Sequence, residues 1–439
     1  MFNIYKLLFI FLTFFVYSIS FAQNLNEEKH NFENQNFDNE RLESLYIGNF
    51  LSSIVAKKNR DYKSFLDFSE RALKSKNNSI DLLENAFWAN IYLGDISRAL
   101  KIVSEIELLS DENNQYFLYP TIVELIKRNE LASAVEISNL LGLEKHNVFL
   151  KNLLEIWDNV FKGQKANALS KLKNYIINAK KDSDLYFFLK VQNLIIYAYF
   201  DEHSEIIRAF EELQQNIKIV PSRYYISIAK IIYDKIDTKF AESFLSQNIP
   251  NNLDLEIALE NLPKIEIFHH SKLLSNVFYE CGYIIARSEG FFKSVPQFWF
   301  SLYLNENNEK SRLILSSFFS EINQDDIALD ILRDNRIKSP SWIISEFEKS
   351  YILEKKGNIE LAISTIQKFS NKKNFKNKAL LRISNIYRRN NEYKKSMEAL
   401  EKIDLSKINS PEVFYYRSLN LVLLKDWQNA IESFDVLLK

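Results

Sequence analysis

One cysteine, seven glycines and seven prolines in 439 residues exclude more than they admit. A lone Cys281 cannot form an internal disulfide, so the fold must rest on packing. Glycine and proline interrupt helices, and all-β folds need many turn formers, so their scarcity favours a mostly helical chain. Charge of one sign is also missing: 56 Lys and Arg stand against 57 Asp and Glu. That balance offers no basic excess for nucleic acid and no acidic tail. Beyond the N-terminus no run approaches the ~18 apolar residues that a spanning helix needs.

Catalytic signatures are scarce as well. No two of the glycines are spaced for G-x-G-x-x-G, and none precedes Lys-Ser/Thr as a phosphate loop requires. H-E-x-x-H, C-x-x-C and G-x-S-x-G do not occur. Of five histidines only His269 and His270 are paired, and neighbours on a helix point apart, whereas zinc takes three or four convergent ligands. No metal, cofactor or small-molecule substrate is expected. Cys281, beside Gly282 in an inward-packing helix position, reads as a buried structural thiol.

The first residues, MFNIYKLLFIFLTFFVYSISFAQ, carry one charge, Lys6, then an apolar run from Leu7 to Val16, then Ser20 and Ala22 where a signal peptidase reads small side chains. Residues 1–22 are expected to be an export signal cleaved after Ala22; retained, they would tether the protein to a membrane. Residues 23–42 are polar, show no strong apolar period and are expected to form a disordered tether.

The rest repeats. KKGNIELAISTIQKF (355–369) returns as RNNEYKKSMEALEKI and as LLKDWQNAIESFDVL, each thirty-four residues on. At that pitch Ser294, Ala328, Ala362, Ser396 and Ala430 form one column, and Gly282, Ser316, Ser350, Ser384 and Ser418 another, twelve residues earlier. Two antiparallel helices approach closely only where side chains are small, so one small residue per helix marks their crossing. Large apolar residues such as Val295, Leu329, Ile363 and Met397, followed by Phe298, Leu332, Ile366, Leu400 and Phe434, would fill the space between repeats. Phe65, Ala72, Ala99, Ala134 and Ala168 continue the columns less cleanly, giving about eleven candidate repeats from residue 43 onward.

Leu380-x-x-Ile383-Ser384-x-x-Tyr387 followed by Ser396-x-x-x-Leu400, with Pro340 in the proline column, resembles the tetratricopeptide repeat family. The resemblance implies an all-α, right-handed superhelical solenoid of antiparallel helix pairs. Within it we expect an N-terminal array over 43–245, an irregular connection over 246–268 holding Pro250 and Pro263, and a more regular C-terminal array over 269–439. Pro296 is expected to make its helix start late, with Ser294 as N-cap. The apolar closing residues Leu437 and Leu438 lead us to expect either further chain or a covering partner.

In this family the first helix of each pair lines a concave groove. Carried onto matching positions here, the groove residues are Tyr279, Tyr283, Arg287, Phe347, Tyr351, Lys355, Arg382, Asn385, Arg389 and Tyr415. Aromatic side chains supply contact area and arginines fix a peptide's polar groups. The resemblance to exported repeat proteins of proteobacteria implies a non-enzymatic scaffold of the bacterial periplasm or envelope that binds a protein or peptide segment. The alternative is the recognition arm of an envelope peptidase, glycosyltransferase or murein-cleaving enzyme whose catalytic domain lies elsewhere. Intact mass spectrometry of the chain produced in a bacterium tests the export signal: the expected mass lacks residues 1–22, and an uncleaved Met1 refutes it.

Overall fold

The computed structural model describes residues 45–75, 79–107, 115–249, 252–333, 342–372, 375–403 and 411–438. The proposed leader, the polar tether, Pro250 and Pro340 lie outside them. Every regular element among the described residues is helical. The chain divides into two compact units at 113/114. The first holds α1 (45–58), α2 (Tyr62–Ser75), α3 (Ile80–Leu93) and α4 (Ile96–Glu107).

The second unit begins with α5 (Leu118–Lys127), α6 (Leu131–Ser138), α7 (Lys145–Phe161), α8 (Lys165–Asn178), α9 (Asp184–Tyr199) and α10 (His203–Gln215). Then come α11 (Tyr225–Lys235), α12 (Thr238–Asn248), α13 (Asn252–Asn261), α14 (His270–Ser288), α15 (Phe291–Leu304), α16 (Glu309–Glu321) and α17 (Asp325–Arg333). It closes with α18 (Trp342–Lys355), α19 (Ile359–Gln367), α20 (Lys376–Arg389), α21 (Tyr393–Glu401), α22 (Pro411–Leu423) and α23 (Trp427–Leu438). From α3 onward, apart from α13, consecutive helices pair as hairpins, first helix A and second helix B, and from α14 onward each hairpin packs on the next; α1 and α2 meet at the same kind of turn.

Both small-residue columns lie where the helices cross. Ser316, Ser350, Ser384 and Ser418 on the A side and Ser294, Ala328, Ala362, Ser396 and Ala430 on the B side are all buried. The serines also bond across the crossing. Ser350 Oγ donates to the Ala362 carbonyl at 3.0 Å, Ser316 Oγ to that of Ala328 at 3.3 Å, and Ser396 Oγ to that of Ser384 at 2.8 Å. A Cβ on Gly282 would stand 2.9 Å from a ring carbon of Phe298, so in the α14–α15 hairpin even alanine would push that ring aside. The inter-repeat residues follow: Ile366 and Phe369 of one hairpin are buried with Phe375, Ala379 and Ile383 of the next, and Leu400 and Ile403 with Val413.

One turn recurs between A and B helices. A single residue with positive φ follows the A helix: Arg60, Gly94, Asn129, Gly163, Asp201, Asn323, Gly357, Asn391 and Lys425. The N–H of the next residue reaches back across the helix end, as Asn358 does to the Leu353 carbonyl at 2.9 Å and Asp426 to that of Leu421 at 2.9 Å. This is the Schellman closure, and glycine and asparagine suit it because the left-handed region costs them little. The same next residue opens helix B. Asp95 Oδ1 accepts from the Arg98 N–H at 2.9 Å, and Asp61 Oδ1 from that of Ser64 at 3.1 Å.

One expectation needs correction. Pro296 does not delay its helix: α15 begins at Phe291, behind Gly290 at φ 98°, and Pro296 is buried inside it. Ser294 is therefore no N-cap; its hydroxyl bonds back to the Phe291 carbonyl within the helix. The close α14–α15 contact holds the helix where proline costs it a backbone bond. The expected connection over 246–268 holds a short helix and a turn. Its α13 and the turn at Leu262–Lys264 pack on α12 and α11, and α14 then returns to pack against α7 and α5. Replacing Ala362 with leucine should overfill its crossing and cost roughly 1–3 kcal/mol. Exposed Leu361→Ala should stay within about 0.5 kcal/mol. Urea midpoints of the two variants check this.

Candidate functional site

The A helices of the second unit do not form one open wall. α14 and α15 lie against α5, α7 and α9. Tyr119 of α5 stacks on Phe300 at 6.0 Å, Tyr303 OH donates to Glu124 at 2.7 Å, and Lys127 Nζ sits 3.6 Å over the Tyr303 ring. His146 Nδ1 of α7 is 3.0 Å from Glu289, and His270 stacks on Phe161 at 3.7 Å. Its neighbour His269 precedes α14 and bonds Ser271 instead, at 2.9 Å. Cys281 is buried with its Sγ 3.7 Å from the His146 carbonyl, and burial pushes its thiol up, away from reactivity.

A charged cluster joins these layers. Buried Glu280 of α14 receives Arg223 Nε at 3.2 Å. The guanidinium lies between the rings of Tyr224, at 4.6 Å, and Tyr283, at 4.2 Å. Asp184, in the first turn of α9, pairs with Arg287 and lies 3.6 Å from Arg223. Lys310 Nζ donates to the Arg223 carbonyl at 2.7 Å. Burial raises the Glu280 carboxyl, and the Arg223 charge pulls it back; burial likewise lowers the Lys310 amine, against the pull of Glu280. Three of the sequence-derived groove residues are thus engaged within the chain. Tyr279 is buried under Lys310, Tyr283 stacks on Arg223, and Arg287 reaches Asp184.

The other seven residues stand together on α18, α20 and α22. Arg382 is buried, its guanidinium stacked 3.7 Å over the Tyr351 ring and its Nη1 2.6 Å from Glu354 Oε2. Arg389 shares that carboxylate at 3.5 Å. Asn385 is buried, donating to Tyr416 OH at 3.3 Å and accepting from Arg388 at 2.7 Å. Phe347 is buried in the inter-repeat core. What faces outward is Tyr351 (45% exposed), Lys355, Arg389 and Tyr415 (45% exposed), with Lys355 paired to Asp325 at 3.0 Å. Arg382, Asn385 and Phe347 therefore belong to the packing, and Tyr351, Lys355, Arg389 and Tyr415 face outward.

No family model matches the chain, and no curated protein matches it. Among solved structures, yeast Tom70 is 16% identical, covering 89% of this chain and 84% of its own, at a TM-score of 0.33. The APC/C hetero-tetramer Cut9–Hcn1 is 12% identical over 88% and 92%, at 0.30. The TPR (tetratricopeptide repeat) domain of P58(IPK) is 12% identical over 87% and 99%, at 0.25. Superposition at these scores is too loose to carry any residue role across.

Sequence reasoning passed over α16. A depression of about 250 Å³ lies beside it, lined by Phe291, Leu313, Ile314, Ser317, Phe318 and Glu321. Leu313, Ser317 and Glu321 stand thirty-four residues before Phe347, Tyr351 and Lys355, so the repeat pitch itself pointed to them. The depression extends the outward surface by one apolar hollow. At the closed end, Arg223→Ala strands the buried Glu280 and should cost roughly 3–5 kcal/mol. Arg287→Ala removes a pair whose arginine is 66% exposed and should cost under about 1 kcal/mol; thermal unfolding of both variants checks the contrast.

Proposed function

We propose that this chain is a non-enzymatic scaffold that binds a segment of another protein along the A-helix face of α16, α18, α20 and α22. The observation that carries the reading is the row of Tyr351, Lys355, Arg389 and Tyr415, exposed on three successive A helices beside the apolar hollow at α16. Outward aromatics flanked by long cations, held on a wall of buried side chains, offer contact area and polar fixing points at low entropic cost. The bacterial envelope is the proposed site of action, supported by the leader-like residues 1–22.

The test pairs the parent chain with a Tyr351→Ala, Arg389→Glu, Tyr415→Ala variant, its fold verified by circular dichroism, as baits for crosslinking in envelope extract. A protein captured by the parent, lost in the variant and reconstituted from purified components supports the proposal. Equal capture by both baits removes the groove from it.

A further inference from the structure

Ion pairs that join one hairpin to the next are missing at one junction of the open face, and an apolar hollow stands in their place. Between the α16–α17 hairpin and α18, Lys355 Nζ pairs with Asp325 at 3.0 Å and Lys356 pairs with Asp326. Thirty-four residues earlier, between the α14–α15 hairpin and α16, the same four positions hold Glu321, Phe291, Ile322 and Phe292. The two bases at the end of the A helix have become an acid and an isoleucine, and the two acids that open the B helix have become phenylalanines. Glu321 is exposed, and its carboxylate has no ion pair or hydrogen bond among the described residues. It stands at the hollow of about 250 Å³ that Phe291, Leu313, Ile314 and Phe318 line. Small-molecule sites begin at about 300 Å³, so the hollow suits one apolar side chain of a longer segment.

At α20 the imbalance has the opposite sign. The helix carries Lys376, Lys378, Arg382, Arg388 and Arg389 and no acid. Arg382 and Arg389 share the carboxylate of Glu354, at 2.6 and 3.5 Å. Arg388 donates to Asn385 and meets no carboxylate among the described residues. Buried Arg382 still has no hydrogen-bond partner for its Nε and Nη2. One carboxylate between two guanidiniums leaves a positive excess, and Arg389, 53% exposed, presents it outward. Glu321 and Arg389 stand in one column of the repeat, two A helices apart, with Lys355 between them already paired to Asp325.

We propose that the segment bound on this face has a fixed order of charge: an apolar side chain in the α16 hollow, a basic residue beside it on Glu321, and an acidic residue on Arg389. The proposal rests on the A-helix face being the binding surface. Two A-helix steps of roughly 8–10 Å each separate the two charges, a span that about five or six extended residues cover. A segment with the charges exchanged would set acid against Glu321 and base against Arg389, a like-charge contact at each end.

Three fluorescein-labelled peptides and the full chain test this by fluorescence anisotropy. The first carries leucine next to arginine, with glutamate about five residues on. The second exchanges the arginine and the glutamate, and the third has glycine for the leucine. The first should bind at least about tenfold more tightly than either of the others. A Glu321→Lys, Arg389→Glu chain, its fold verified by circular dichroism, should reverse the preference between the first two. Equal binding of the first two peptides, an unchanged order in the charge-reversed chain, or no binding of any of the three overturns the proposal. The groove itself is judged apart, by the crosslinking baits: a protein captured by the parent and lost in the groove variant leaves the groove in place even where the charge order fails.

Discussion

Everything in this protein depends on how near two helices can come. Where an A helix crosses its B helix, the side chains have shrunk to serine, alanine or glycine, and serine hydroxyls bond across the gap to carbonyls of the facing helix. That approach leaves the large residues on the outer flanks of each hairpin, where they can be buried only by another hairpin. A chain obeying this constraint must stack, and the stack gives its A helices a common face. The outward A-helix face and the charged cluster both follow from it.

The second unit uses this face twice. Against α5, α7 and α9 it is occupied by the chain itself, with aromatic stacking, a buried Glu280–Arg223 pair and the enclosed Cys281. From α16 to α22 it stays open. The difference lies in the side chains that α14 presents. Tyr279, Tyr283 and Arg287 find partners on α9, α16 and the Ser222–Tyr224 turn, whereas Tyr351, Arg389 and Tyr415 look outward. Similar residues in the same columns thus pack inward at one end and stand exposed at the other.

The sequence disclosed what is periodic. Both small columns, the large residues between repeats and the near-eleven hairpins could be read from the thirty-four-residue pitch, because each repeat solves the same packing problem. It did not disclose the return of α14 and α15 onto α5 and α7. Those contacts join residues such as Glu124 and Tyr303, far apart in sequence and tied to no column. Hence Tyr279, Tyr283 and Arg287 were grouped with the later positions, although they pack within the chain. Pro296 was misread for a related reason: a local rule about proline yielded to the α14–α15 contact. The left-handed turn was visible all along in Gly357, Asn391 and Lys425, aligned in the very segments that reveal the repeat.

That turn has a consequence for how the chain can change length. One residue ends the A helix through its back-reaching N–H and, as the next helix begins, supplies the first B carbonyl or cap, so the two helices share a hinge with no slack. Inserting a single residue there would rotate helix B by about 100° and swing its small residue out of the crossing. The links from each B helix to the following A helix carry no such coupling and already differ widely, from the few residues between α15 and α16 to the long passage between α12 and α14. Insertions and deletions, in nature or by design, will therefore be tolerated along one edge of the stack and refused along the other.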